Sequence, residues 1–342
     1  MGKTKSQGAE NQRFFDLHAN WLINRTCNLR CGYCFFSLEE RRREDLIGTS
    51  LQAEYAVDFF NSSSATWLIW MSGGEPFLHP SFVRLCKELT GSHYIGFDTN
   101  LSLDRSYEFA DKVDCSRVKS IECSFHVAEI GSELMFETFL ERVIYLRGKG
   151  FPATVHVVMW PPVFEKSVHF LRMFSDAGIP ARPDPFKGTF KGKYYPFAYS
   201  ELERNIMREY REIFDALLSS ADVKPLDLVQ RLRPGLAMPG MRKGDVVDGL
   251  MSFQGERCYA GQKHIFIDLN GDVKPCHSDK TKLGNIYKKE QVQLFDQANL
   301  CSQPACVCHF EGLEFSQGTP RHSPLLTLKE STKKPTPAEI PL

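Results

Sequence analysis

The chain has 342 residues, of which 42% are hydrophobic, so it can bury a substantial core as one large domain or two smaller ones. Its 42 basic and 42 acidic residues give a formal net charge of zero, so no overall field attracts nucleic acid or an anionic membrane. The first residues lack the continuous apolar segment of a secretory signal, and no apolar run approaches the roughly 18 residues of a membrane span. We therefore predict a cytoplasmic protein without a nucleic-acid or membrane partner.

Strand-like and helix-like segments alternate along the first two hundred residues, an order typical of parallel α/β folds. The pattern predicts strands at residues 18–26, 66–74, 94–103, 118–127, 153–162 and 179–186, with helices at 51–63, 80–92, 134–150 and 167–178. In barrels built from such units, ligands bind at the C-terminal ends of the strands. Chemically active residues at those ends are therefore the candidates for a functional site.

Cysteine is abundant and unevenly distributed, with eleven in the chain. Cys27, Cys31 and Cys34 lie within eight residues, and five more lie between residues 258 and 308. In a reducing cytosol these thiols are poor candidates for structural disulfides. Two groups so far apart in the sequence predict two metal sites.

The first group has three thiolates and no fourth ligand nearby. It predicts either a zinc site completed by a distant residue, or three corners of a 4Fe–4S cluster whose fourth iron has no protein ligand. Structural zinc sites usually use paired C-x2-C units, and C-x3-C-x2-C is not that pattern. The iron–sulfur alternative leaves one iron able to bind a substrate or cofactor.

The segment CNLRCGYC has an aromatic residue, Tyr33, directly before its last cysteine, and it resembles the cysteine motif of the radical S-adenosylmethionine (SAM) superfamily. In that family three such cysteines hold a 4Fe–4S cluster, and the open iron chelates the amine and carboxylate of SAM. The resemblance implies that Cys27, Cys31 and Cys34 are cluster ligands and that Tyr33 packs near the adenine.

A second motif, SGGEP, follows the second predicted strand. Glycines after a strand let the backbone turn tightly and approach a ligand closely, and Glu75 is suited to accept from an ammonium group. Radical SAM enzymes use a GGEP motif at this place to bind the methionine amine, and Thr99-Asn100 resembles their TN turn. The expected cofactor-binding residues are Tyr33, Gly73, Gly74, Glu75, Pro76, Asn100, Ser124 and Arg182.

Three of the candidate residues on strands four and six have alternative interpretations. Arg182 contacts an anionic substrate or the SAM carboxylate, or else forms a surface ion pair. Cys123 is a hydrogen-atom donor to a substrate radical if it faces the barrel interior, or else a small core residue. Ser124 and His126 have the opposite parity to Cys123, and family members often touch SAM at the position of Ser124, which counts against Cys123. His126 contacts substrate or SAM, or is a hydrogen-bonded structural histidine.

The second cysteine group surrounds a predicted hairpin with Asn270-Gly271 as its turn. Its C-x12-G-x4-C spacing, from Cys258 to Cys276, resembles the hairpin of SPASM and twitch domains, which carry auxiliary 4Fe–4S clusters. A helix is expected to lead from there to the remaining cysteines. We expect one auxiliary cluster, with a zinc ribbon as the alternative. Its ligands are expected to be Cys258 and Cys276, then Cys306 and Cys308, with Cys301 an alternative ligand or a spare.

These patterns predict a partial (β/α)6 TIM-type barrel followed by a small hairpin-plus-helix domain for the auxiliary cluster. The expected divisions are a flexible N-terminus at 1–14, the barrel at 15–199, a bridging helix and loop at 200–254, the auxiliary domain at 255–312 and a disordered tail at 313–342. An N-terminal extension of about twenty residues is too short for a folded leader-peptide domain, which favours a small-molecule substrate.

The resemblance implies that an external donor of the flavodoxin or ferredoxin type reduces the cluster, and that SAM cleavage yields a 5′-deoxyadenosyl radical. We expect this radical to remove a hydrogen atom from a sugar, cyclitol or nucleoside-like substrate, ending in oxidation. The second hypothesis is modification of a ribosomally made peptide by a thioether link, a carbon–carbon link or epimerisation. The third is a non-catalytic binding module stabilised by zinc or an iron–sulfur cluster.

Overall fold

The computed structural model describes residues 15–219, 251–252, 254–255, 257–288, 290–302 and 321–322. Its strands are β1 (Leu17–Asn24), β2 (Trp67–Gly73), β3 (Tyr94–Thr99), β4 (Val118–Ser124), β5 (Ala153–Met159), β6 (Ala181–Pro185), β7 (Gly188–Phe190), β8 (Lys193–Tyr195), β9 (Met251–Ser252), β10 (Arg257–Cys258), β11 (His264–Ile267), β12 (Asp272–Lys274), β13 (Gly284–Asn285), β14 (Asn299–Leu300) and β15 (Arg321–His322).

The α-helices alternate with the first six strands. They are α1 (Leu38–Arg42), α2 (Ser50–Asn61), α3 (Phe82–Leu89), α4 (Arg105–Lys112), α5 (Val127–Ile130), α6 (Glu133–Gly148), α7 (Phe164–Asp176) and α8 (Glu201–Ser219). Side-chain caps begin several of them: Ser37 and Thr49 form capping boxes at α1 and α2, and Ser200 pairs with Glu203 at α8. These local signals explain where the helices start.

Six parallel strands, β1 to β6 in sequential order, form the larger part of a nine-stranded sheet and end at its β6 edge. This arrangement confirms the predicted α/β class and its six βα units. The hairpin of β11 and β12, with β13 beyond it, extends the sheet at the β1 edge, where β11 runs parallel to β1 and His264 pairs with His18. The barrel strands and the predicted cluster hairpin therefore belong to one sheet.

The two faces of the parallel strands differ sharply in chemistry. Apolar residues such as Phe97, Val155 and Val157 belong to the hydrophobic core that includes the buried sides of the helices. The residues that alternate with them, among them Glu122 and His156, are buried yet polar. Since successive strand residues point to opposite faces, the second set lies on the inner face of the sheet, away from the helices.

The helix expected between the hairpin and Cys301 is absent from residues 277–288 and 290–302, so this detail of the prediction is wrong. The backbone N–H groups there bond over long range: Gln293 donates to the Leu283 carbonyl at 2.9 Å and Phe295 to the Gly261 carbonyl at 2.8 Å. These contacts replace the i to i−4 pattern that an isolated amphipathic segment adopts. No helix of the described residues is long and apolar enough to cross a membrane.

Candidate functional site at the C-terminal edge of the sheet

The carboxyl ends of parallel strands share one edge of the sheet, so the loops that follow them meet there. The cysteine loop follows β1, the GGEP segment follows β2, and Asn100 follows β3, while Ser124 is the last residue of β4. The structure therefore brings together motifs that are up to about a hundred residues apart in the sequence.

A buried asparagine joins the first two motifs. The side chain of Asn24 donates from Nδ2 to the Glu75 carbonyl at 2.8 Å and accepts at Oδ1 from the Gly74 N–H at 2.8 Å. The Glu75 N–H donates to the Thr26 carbonyl at 2.9 Å. This clamp holds the GGEP segment against the chain that enters the cysteine loop.

The clamp needs glycine at both positions of the motif. A Cβ added at Gly74 would lie 1.9 Å from the Thr26 carbonyl oxygen, and one at Gly73 would lie 2.1 Å from the Asn24 carbonyl oxygen. Gly73 also has a φ of +142°, which other residues rarely adopt. The two glycines therefore let two backbones approach closely, as the sequence pattern indicated.

The Glu75 carboxylate is directed into the protein. It is fully buried, and it accepts hydrogen bonds from the Phe77 N–H at 3.0 Å, the Thr99 hydroxyl at 2.8 Å and the Asn100 N–H at 2.7 Å. Burial raises the pKa of this carboxyl to about 7. In this conformation Glu75 fixes the ends of β2 and β3 relative to each other, and Pro76 begins the buried 3-10 turn that follows.

Asn100 connects this turn to the first cysteine. Its Nδ2 donates to the Asn28 side-chain oxygen at 2.9 Å and lies 3.7 Å from the Cys27 sulfur, while its Oδ1 accepts from the Ser102 N–H at 3.0 Å. The Leu29 N–H also donates to the Cys27 sulfur, at 3.4 Å. Two N–H donors at this sulfur would stabilise a thiolate.

The donor set suits an iron–sulfur cluster. Burial raises the pKa of the Cys27 thiol and raises that of Cys31 to about 12, so ligation must displace protons from both sulfurs. The three thiols influence one another electrostatically. Within the described residues, no three His, Cys, Asp or Glu side chains converge on one ion position. The chemistry of the donors, three thiols with N–H groups beside one of them, fits the expected cluster.

Aromatic side chains form one wall above the inner face. The Tyr33 hydroxyl and His126 Nδ1 are hydrogen-bonded at 2.7 Å, and the Tyr33 ring lies 5.4 Å from Trp160 and 6.5 Å from Phe186, measured between centroids. Burial lowers the pKa of His126 to about 4 and raises that of Tyr33, so both are neutral at pH 7. A neutral aromatic wall suits a flat heterocycle.

The positions of Arg182 and Cys123 do not match the hypotheses of ligand contact for Arg182 and hydrogen-atom donation for Cys123. Arg182 lies inside the sheet, where it bonds Glu122 and Asp184 at 3.2 and 3.1 Å, so it is neither a surface ion pair nor an unpaired cation. Cys123 is fully buried in the hydrophobic core, on the face opposite to Ser124. This placement favours packing over hydrogen-atom donation for Cys123.

The hairpin brings several of the second group of cysteines to one end. Cys258 precedes β11 and Cys276 follows β12, so both leave the hairpin beside the N-terminal half of β1. Cys258 pairs with Asn299 across β10 and β14, and Cys301, two residues further on, shares its face of that ladder. The turn residue Gly271 has a φ of +79°, as predicted. Cys306 and Cys308 lie outside the described residues.

Sequence reasoning missed Asn24 and the charged partners of Arg182 on the inner face. The available signal was their position: Asn24 ends the predicted first strand, and Asp98 and Glu122 are acidic residues inside predicted strands. Such residues need buried partners. The pattern does not reveal which partners, because those come from other strands.

Comparison with known proteins supports the same assignment. The model of the radical SAM superfamily matches residues 21–174, and that of an iron–sulfur cluster-binding domain, SPASM, matches residues 258–304. Native anSMEcpe with bound AdoMet has 16% identity and a TM-score of 0.53, over 82% of this chain and 81% of that one. SuiB of Streptococcus suis bound to S-adenosylmethionine has 16% identity and a TM-score of 0.51, over 80% and 64%. Native anSMEcpe with bound AdoMet and the Kp18Cys peptide has 17% identity and a TM-score of 0.51, over 82% and 80%.

The chain therefore carries a radical SAM domain and a C-terminal iron–sulfur cluster-binding domain, the arrangement of a radical SAM enzyme with a SPASM- or twitch-type auxiliary domain. It is an enzyme whose cofactors are a 4Fe–4S cluster and SAM, with further iron–sulfur binding in the C-terminal domain.

Proposed function

We propose that the enzyme removes a hydrogen atom from a small polar substrate, such as a sugar, cyclitol or nucleoside, and that the product is oxidised. The observation that carries the proposal is the meeting of three motifs at Asn100. Its side chain lies 3.7 Å from the Cys27 sulfur, and its N–H donates to Glu75 of the GGEP segment at 2.7 Å. These contacts support the proposal, because they connect the proposed cluster ligand Cys27 to the proposed SAM-binding turn.

Each part of the site has a proposed role. Cys27, Cys31 and Cys34 hold the cluster, and the backbone of 73–76, with Ser124, binds SAM. The cluster and SAM, when bound, supply the 5′-deoxyadenosyl radical that attacks an unactivated carbon. The aromatic wall around Tyr33 orients the adenine and excludes water, which protects a reactive site.

The polar inner face is an argument for a small hydrophilic substrate, because Glu122 and His156 are polar although they are only 8% and 4% exposed. We assign the auxiliary cluster to Cys258, Cys276 and Cys301, with the fourth ligand from Cys306 or Cys308. An electron leaving the substrate would pass to this cluster, while a flavodoxin- or ferredoxin-type donor reduces the first one.

Anaerobic reconstitution tests the proposal. Two 4Fe–4S clusters require about eight irons per chain, and one requires about four. We expect Cys27→Ala to lose the irons of the first cluster and all formation of 5′-deoxyadenosine, while the matched Cys115→Ala variant keeps both. Reductant-dependent cleavage of SAM that persists in Cys27→Ala would contradict the assignment, and zinc in place of iron would favour the binding-module hypothesis.

Peptide modification is the second candidate function. It is favoured by the likeness in fold to anSMEcpe, which has been solved with a bound peptide. A gene for a short precursor peptide beside the gene for this chain, and a mass change in that peptide after incubation with the reduced enzyme and SAM, would replace the small-molecule proposal.

A further inference from the structure

Five titratable side chains form a charged cluster on the inner face, next to the predicted SAM contacts. They are Asp98, Glu122, His156, Arg182 and Asp184. Asp98 on β3 precedes Asn100 by two residues, and Glu122 precedes Ser124 by two on β4. Two residues of a strand span about 7 Å, so Asp98 and Glu122 lie one side-chain layer beneath the site where SAM is expected.

Four members of the charged cluster contact one another. Arg182 lies 3.2 Å from Glu122 and 3.1 Å from Asp184, measured between nitrogen and carboxylate oxygen. His156 Nδ1 lies 3.2 Å from Glu122 and 3.1 Å from Asp184. These contacts give both carboxylates a basic neighbour.

Asp98 forms no direct ion pair among the described residues, although Arg182 is near enough to act on it electrostatically. Its Oδ2 accepts from the Trp70 indole N–H at 2.8 Å, and its other carboxylate oxygen has no hydrogen-bond partner among the described residues. On the adjacent strand it pairs with another acid, Glu122. Burial and this neighbour raise the pKa of Asp98 to about 7. The negative charge of the cluster that no direct ion pair balances therefore lies at Asp98. A bound cation could pair with it there.

Two further polar groups of the inner face are buried without partners. The His156 side chain is 6% exposed, and its Nε2 has no hydrogen-bond partner, although Nδ1 faces the two carboxylates. Ser120 is 1% exposed, and its hydroxyl also has no partner. Buried polar atoms are seldom left unpaired in native proteins, so both indicate a ligand that brings hydrogen-bonding groups to this layer.

We propose that the charged cluster binds a substrate that carries a primary ammonium group, with Asp98 as the partner of that cation. His156 and Ser120 bond the polar groups next to it. The substrate is thereby anchored from below, and its neighbouring carbon is presented to the SAM site above. This inference deepens the proposed function, because it names the substrate class of the same site.

Matched pairs of probes test the inference on the reconstituted, SAM-loaded enzyme. Glucosamine is compared with glucose, and the peptide Gly-Lys-Gly with Gly-norleucine-Gly, by equilibrium binding under anaerobic conditions. We expect the amine of at least one pair to bind at least about 10-fold more tightly than its neutral partner. The pair that shows the preference identifies the source of the amine, small molecule or peptide.

A variant and a matched control locate the binding site. Asp98→Asn keeps the shape of the side chain and an acceptor for Trp70, and it should weaken amine binding by about 30-fold. Asp176→Asn removes the same charge from an exposed helix end and should leave amine binding unchanged.

Equal binding of the amines and the neutral probes, including no binding by either, overturns the inference, as does an amine preference that survives Asp98→Asn. If Asp98→Asn does not fold, the comparison of amine and neutral probes on the wild-type enzyme still tests the inference. Failure of the proposed function is separate, because it appears as absence of 5′-deoxyadenosine whatever the probes do.

Discussion

Gly74→Ala is the sharpest perturbation that the structure offers. The new methyl group would lie 1.9 Å from the Thr26 carbonyl oxygen, whereas real contacts of this kind are almost never below 3.0 Å. The two segments must therefore separate by about 1.1 Å. Because the contact is between backbones, no side chain can rotate to relieve it.

That displacement breaks the clamp that holds the two motifs. Three hydrogen bonds are lost: Gly74 N–H to Asn24 Oδ1, Asn24 Nδ2 to the Glu75 carbonyl, and Glu75 N–H to the Thr26 carbonyl. At about 1 kcal/mol each, the free energy of unfolding should fall by about 3 kcal/mol. Affinity for SAM should fall about 100-fold, since a shift of about 1 Å disrupts a positioned site.

Urea unfolding of the apoprotein and equilibrium binding of SAM to the reconstituted enzyme measure the two effects. Gly148→Ala is the matched control: no heavy atom lies within 4 Å of its new Cβ, and at the end of α6 it should be neutral or stabilising by up to about 1 kcal/mol. If Gly74→Ala unfolds and binds SAM like Gly148→Ala, the clamp does not position the site.

Four other variants give independent tests. Cys123→Ala should cost about 1 kcal/mol of stability yet keep SAM cleavage and product formation, and loss of product alone would restore its role as a hydrogen donor. Tyr33→Phe removes the hydrogen bond to His126 and should weaken SAM binding a few-fold. Unchanged affinity for SAM would mean that this hydrogen bond does not hold the Tyr33 ring in its binding position. Cys301→Ala should reduce iron from about eight toward about four per chain, and a full complement would exclude it as a ligand. The raised pKa of Asp98 means that the folded state binds its proton more tightly, so stability falls as pH rises from about 4 through 7. Asp98→Asn should flatten that fall in urea unfolding measured at pH 5 and pH 8, and an identical slope would contradict the assigned pKa.

The strand order and the C-terminal edge could be predicted because each depends on local sequence. Apolar runs ending in Gly73 or Asn100 give strands and their exits, and parallel topology then places those exits side by side. The buried charges could not be predicted in the same way. Arg182 was expected to contact a ligand, but its partners are side chains of β4, of β5 and of its own strand, and sequence alone does not say which of these side chains meet on the inner face.

The auxiliary hairpin shows the same limit. Its turn at Gly271 is local chemistry and was predicted, while its docking is a long-range event: β11 pairs with β1 in register, and the Trp21 indole donates to the Tyr287 hydroxyl at 3.1 Å. For this reason the expected helix near residue 290 does not form. Backbone donors that would have built it are used by contacts with residues 261 and 283.

The docking of that hairpin has a consequence for electron transfer. Cys27 follows the C-terminal end of β1, whereas Cys258 and Cys276 lie beside its N-terminal half, so the two thiol groups are at opposite ends of the same hydrogen-bonded ladder. A ladder fixes spacing far more rigidly than a flexible linker does. The charged cluster lies on β3 to β6 of the same sheet, on the side of β1 opposite to the hairpin. An electron that passes from a substrate anchored there to the proposed auxiliary cluster would therefore have to cross the sheet from these strands to the hairpin beyond β1.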